Sequence, residues 1–100
     1  DEGKRIAFFK STSLDLSGGG VRLLLKKDFP VGARLLLRIT IPLKSGPEYL
    51  EIMGKVVRSQ LDENLKLYHV AIQFTEISRS QQDLIVRYTF SKMSEQRRLR

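Results

Sequence analysis

The chain has 100 residues, 41% of them hydrophobic, no cysteine, and a net charge of +7. This is the length of one domain with one modest core, and no run approaches the roughly 18 apolar residues of a membrane-spanning helix. Without cysteine there is no disulfide framework and no thiolate metal site, which is compatible with a reducing compartment; the expected location is cytoplasmic.

In chain order, "DEGKRIAFF" opens without an initiator Met and without a secretory apolar region, so a piece of a longer protein is expected. "RIAFFKSTSLDL" is rich in aromatic and β-branched residues and stops at Gly18-Gly19-Gly20. "VRLLL" follows, then "KKDFPVGA", a turn segment carrying Pro30 and Gly32. In "RLLLRITIPL", Leu35, Leu37, Ile39 and Ile41 share one parity, the period of a half-buried strand. "KSGPE" is another turn. "YLEIMGKVVRSQL" is a long strand, and Gly54 inside it predicts a bulge or a close backbone approach. After "DEN", the run "LKLYHVAIQFTEI" sets Tyr68, Val70, Ile72 and Phe74 on one face. Short strands joined by short turns predict a mainly β fold, an antiparallel sheet closing into a small barrel or sandwich over about residues 4–76.

The period changes at about Ser78. Leu84, Ile85 and Tyr88 form one apolar stripe at helical spacing, with Val86, Phe90 and Met93 on an adjoining one. A C-terminal helix over about 78–97 is predicted. Ser78 and Gln81 fit a capping box, and Asp83 is expected in the first turn. Phe90 and Met93 are expected to cover the end of the barrel; docking of a partner is the competing role.

The positive charge lies in two blocks. Arg22, Lys26, Lys27, Arg34 and Arg38 stand against Asp28, and Arg87, Lys92, Arg97, Arg98 and Arg100 stand against Glu95. Such a balance favours phosphate-bearing partners, with a solvated face as the plainer reading. Non-specific nucleic-acid binding ranks last, because no aromatic platform is evident.

Catalysis finds little support. His69 is the only histidine and alternates with Tyr68 and Val70 on the polar side of its strand. Zinc sites fail on ligand count, and no nucleophile elbow is present. No enzyme and no metal are expected. The glycines do not open a helix, since Pro30 follows too soon, and no Gly-Lys-Ser/Thr ending occurs, so neither a dinucleotide fingerprint nor a Walker loop fits. What remains is a strand-to-strand loop, "LDLSGGGVRL". The Asp15 carboxylate can accept two parallel N–H donors, as a guanine N1/N2 edge offers. Ser17, two residues on, faces the same side of an extended chain. Gly18, Gly19 and Gly20 let a flat ring or a phosphate lie against the backbone, and Arg22 follows within reach of a phosphate. The bland alternative is a side-chain-stabilised turn with glycines at positive φ.

This stretch resembles the D/N-x-S-x-x-G signature of PilZ domains, bacterial receptors for cyclic di-GMP, with Asp15, Ser17 and Gly20 at the signature positions. "FPVGARLLLRITIP", "IMGKVVRSQ" and "YHVAIQFTEIS" resemble that family's successive strands, and "QQDLIVRYTFSKMSEQRRLR" its C-terminal helix. The resemblance implies a six-stranded split barrel with the helix across one end, cyclic di-GMP as ligand, no enzymatic activity, and an output through a protein partner or an adjoining domain. The family's other half-site, an R-x-x-x-R pair before the first strand, has no counterpart among residues 1–14. The pair is therefore expected in a segment upstream; the competing expectation is a degenerate domain that contacts proteins without binding nucleotide.

Overall fold

The computed structural model describes residues 13–98, with side chains described for 15–93. The expected first strand thus lies partly outside the described residues. Its end is β1 (Ser13–Leu16), followed by β2 (Gly20–Leu25), β3 (Arg34–Leu43), β4 (Gly46–Asp62), β5 (Leu67–Glu76) and α1 (Arg79–Arg98). The strands form one antiparallel sheet in the order β1-β2-β5-β4-β3.

The parity read from the sequence decides which side of each strand is buried. In β3, Leu35, Leu37 and Ile39 are half-buried and Ile41 fully so, while Arg34, Leu36, Arg38 and Thr40 face out. In β5, Val70, Ile72 and Phe74 are buried as expected. The core also takes Val21 and Leu25 from β2, Leu50, Ile52 and Val56 from β4, and Ile85 from α1. Fully burying each such side chain contributes about 1.5–3 kcal/mol.

Register breaks curl this sheet around its core; besides one in β1 between Ser13 and Asp15, two fall in the β4–β5 pair. β4 slips between Met53 and Gly54 and again between Val56 and Arg58. Each bulge adds a residue on one side only, which bends the strand and increases its twist. Gly54 is required at the first break, because a Cβ there would stand 2.5 Å from Ile72 Cγ2 and 3.1 Å from the Gln73 carbonyl oxygen.

The turns are held by short-range chemistry. β4 starts three residues before the predicted run, since Pro42 and Pro47 face each other across the β3–β4 hairpin. Neither proline has an N–H, so their pairing suits a position without ladder hydrogen bonds. In the β4–β5 turn, Asp62 Oδ1 accepts from the Asn64 and Leu65 amides, each at 3.0 Å. Asp62 Oδ2 meets His69 Nε2 at 2.9 Å. The β2–β3 connection is fastened to β4: Ser59 Oγ donates to Asp28 at 2.5 Å and accepts from the Phe29 amide at 3.3 Å.

The capping box is present. The Gln81 amide donates to Ser78 Oγ at 3.1 Å, and the Ser78 amide donates to Gln81 Oε1 at 3.0 Å. Asp83 is not in the first turn as expected; the helix begins at Arg79 and no acid lies in that turn. Ile85 enters the core while Leu84 and Tyr88 pack beside it. Phe90 and Met93 do not cover the barrel end: they are 69% and 55% exposed, and Val86 is 49% exposed. The helix can bury one stripe only, and the Ile85 side takes the contact.

Candidate functional site

The link between β1 and β2 is a three-residue loop, Ser17-Gly18-Gly19, drawn tight by its own backbone. The Ser17 amide donates to the Gly20 carbonyl at 2.9 Å. Ser17 Oγ accepts from the Gly19 amide and donates to the Gly20 carbonyl, both at 3.3 Å. The loop is anchored outward twice. The Phe74 amide donates to the Gly19 carbonyl at 2.9 Å, and Gln82 Nε2 of α1 donates to the Gly18 carbonyl at 2.9 Å.

The three glycines have three different neighbours. Gly20 lies against β5, where a Cβ would strike the Ile72 carbonyl oxygen. Gly18 lies under α1, where a Cβ would be 3.1 Å from both Gln82 Cγ and Val86 Cγ2. Gly19 has open space on its side-chain side. None of the three has positive φ; among the described residues the glycines that do are Gly32 and Gly46. Close approach, rather than left-handed backbone, explains the glycines at 18 and 20.

Beside the loop an open groove of about 480 Å³ runs over the outer face of the sheet. Asp15, Ser17, Gly19, Gly20 and Arg22 border it, with Val57, Ala71 and Gln73 completing its floor. Five of the six residues singled out from the sequence thus come together; Gly18 instead turns to the helix. Asp15 and Arg22 are directly opposed across β1 and β2, so both leave the same face. Among the described residues, neither side chain has a hydrogen bond or ion pair. An acceptor and a cationic fork therefore stand open on one groove.

The sequence reading overlooked two contributors to the site. Val57, on the same outward parity as Lys55, joins the floor as the extra residue of the bulge between Val56 and Arg58. Gln82 holds the loop from the helix side. Away from the groove, in the β4–β5 turn, Asp62 partners His69, and the hydrogen bond from His69 is the main cause that holds the Asp62 carboxyl below its ordinary 3.8. Gly54 hinted at the first bulge; nothing local marked the second. Among the described residues no cluster of His, Cys, Asp or Glu could hold a metal ion, and no helix is long and apolar enough to cross a membrane.

The described residues thus form a curled antiparallel sheet with a C-terminal helix and an open polar groove at a glycine loop. The family model of the PilZ domain matches residues 1–91, and the chain belongs to that family of cyclic di-GMP receptor domains, which bind rather than catalyse. Among solved structures it is similar to the Bacillus subtilis inhibitor of motility, MotI/DgrA, with a TM-score of 0.79 and 21% identity. That similarity covers 87% of this chain and 43% of the other, so the chain spans less than half the length of that protein. No curated protein matches the sequence.

Proposed function

We propose that this chain is a cyclic di-GMP receptor domain and not an enzyme, with Asp15, Ser17, Gly18, Gly19, Gly20 and Arg22 as its ligand-binding set. The observation that carries the reading is the Asp15 carboxylate, unpaired among the described residues and bordering the groove. A carboxylate there accepts two parallel N–H donors, and a guanine N1/N2 edge supplies them. Ser17 keeps the loop narrow through its bonds to Gly19 and Gly20. Gly19, with open space on its side-chain side, leaves backbone accessible to a flat base or a phosphate, and Gly20 lets the loop lie close against β5. Gly18 acts from beneath, since its carbonyl is the point at which α1 grips the loop. Arg22 offers a guanidinium fork to a phosphodiester, a charge-assisted and directional contact.

Binding orders the loop and its surroundings, and the output is a changed contact with a protein partner or an adjoining domain in the cytoplasm. Similarity to a protein described as an inhibitor of motility supports motility as one such output. The exposed Val86, Phe90 and Met93 stripe gives that partner a surface on α1.

The test is an NMR titration of the chain with cyclic di-GMP, which reads weak as well as tight binding. The amides of Gly19, Gly20 and Arg22 shift with saturation in the wild type. Asp15→Ala removes the response, because a charge-assisted pair of hydrogen bonds is lost at an unreplaced position. Saturable shifts that survive Asp15→Ala unchanged would sink the assignment of the guanine contact.

A further inference from the structure

The second bulge of β4 has a chemical consequence. In an unbroken strand, Lys55 facing out would put Val57 out and Arg58 in. The slip between Val56 and Arg58 reverses this beyond Val57, and Arg58 becomes the partner of Ala71. Ala71 is in turn the partner of Arg22, which opposes Asp15. Directly opposed residues on neighbouring strands leave the same face. One row therefore crosses the groove face through four strands: Asp15, Arg22, Ala71, Arg58. The next row reads Gly20, Gln73, Lys55, Arg34.

Ala71 is the small member between two arginines. Its methyl and the exposed Val57 make a low apolar floor in the groove, which Arg22 borders on the β2 side; Arg58 stands next to that floor, as the β4 partner of Ala71 and the chain neighbour of Val57. Two strand spacings separate the arginine backbones, roughly 10 Å. The Arg58 side chain has no ion pair or hydrogen bond among the described residues, and the residue is exposed. Arg38 on the same sheet face, by contrast, is neutralised by Glu51 at 2.8 Å. Across the two rows the cations Arg22, Arg58, Lys55 and Arg34 stand against Asp15 alone. A ligand with two separated anionic groups and a flat body between them fits this arrangement.

Building on the receptor reading above, we propose that Arg58 is a second anion-binding residue of the groove. It takes one phosphodiester of the cyclic dinucleotide from the β4 side while Arg22 takes the other. Lys55, one row away, adds a longer-range attraction. The bulge at Val57 is the device that aims Arg58 onto this face, in keeping with the frequent placement of bulges beside binding sites.

The test is the same titration with cyclic di-GMP on wild type, Arg58→Ala, Arg58→Lys and Arg38→Ala, repeated at two salt concentrations. Arg58→Ala weakens binding by about tenfold, as expected for one lost contact to a charged group. It also flattens the salt dependence, because one fewer cation meets the ligand's phosphates. Arg58→Lys falls between, since the charge stays and the planar fork is lost. Arg38→Ala, which removes an equal charge away from the groove, binds as wild type. Equal affinity and salt slope in Arg58→Ala and Arg38→Ala overturn the role of Arg58 while leaving the receptor reading intact. A wild type with no saturable shift overturns both. Arg58 is exposed, so thermal unfolding of the variants at wild-type temperatures certifies that the affinities compare folded proteins.

Discussion

Asp62 shows how one side chain can serve a turn and a strand together. One oxygen closes the β4–β5 turn through the Asn64 and Leu65 amides, and the other meets His69 Nε2. All these partners favour the ionised carboxyl, the His69 hydrogen bond most, and its acidity rises accordingly. A carboxyl whose folded value is depressed contributes stability that is fully present above its unfolded value, near 3.8, and is lost as pH falls through the folded value. Asp62→Asn keeps a carbonyl oxygen for the turn and removes the charge. The wild type therefore unfolds at a higher temperature than Asp62→Asn at neutral pH, and the gap closes below about pH 4. Thermal melts of both proteins between pH 3 and 7 measure this, and a gap independent of pH would refute the linkage. His69 could be placed on the outer face from alternation alone. Its partner could not, because the two stand seven positions apart along the chain and only the hairpin brings them together.

The elements differ in how openly the sequence announces them. β3 and β5 alternate cleanly, so their buried sides could be named in advance, and the Ser78–Gln81 box fixed where α1 begins. β4 resisted, because the bulge at Val57 changes its parity midway: from Arg58 onward the strand escapes the alternation that local pattern supplies. The PilZ signature made Asp15, Ser17 and Arg22 legible as a group, yet the contact of Gly18 with Gln82 spans 64 residues and has no local trace. In α1 the two apolar stripes read alike, and only packing distinguishes them. Ile85 is fully buried while Phe90 is 69% exposed. Ile85→Ala therefore costs about 2–5 kcal/mol through lost burial and a residual cavity. Phe90→Ala, despite deleting the larger side chain, costs within about 0.5 kcal/mol. Urea unfolding of the two variants distinguishes a helix that plugs the core by Ile85 from one that relies on Phe90; equal losses would contradict the burial assigned to each.

Across the whole molecule, the glycine loop is held in common by the groove and the helix. Ser17, Gly19 and Gly20 border the groove, while Gly18 gives its carbonyl to Gln82 and lies under Val86. A ligand that orders the loop thus acts on the first turns of α1, which carry the exposed Val86 and, further on, Phe90 and Met93. Linkage makes the effect mutual: what the ligand does to the helix, the helix does to the ligand. Gln82→Ala leaves every groove residue in place and releases the loop from α1. The freed loop must then be ordered by the ligand itself, which weakens cyclic di-GMP binding by a few-fold, a cost on the scale of one neutral hydrogen bond. In the wild type, the amides of Leu84 to Tyr88 shift along with those of Gly19 and Gly20 at the same ligand concentrations. In Gln82→Ala the loop amides still shift and the helix amides fall silent. If both sets respond in the variant as in the wild type, the Gln82 bond is a mere fastening and the signal reaches the helix by another route. If affinity and loop response hold while the helix is silent in both proteins, the groove and α1 work independently and the exposed stripe answers to something other than the nucleotide.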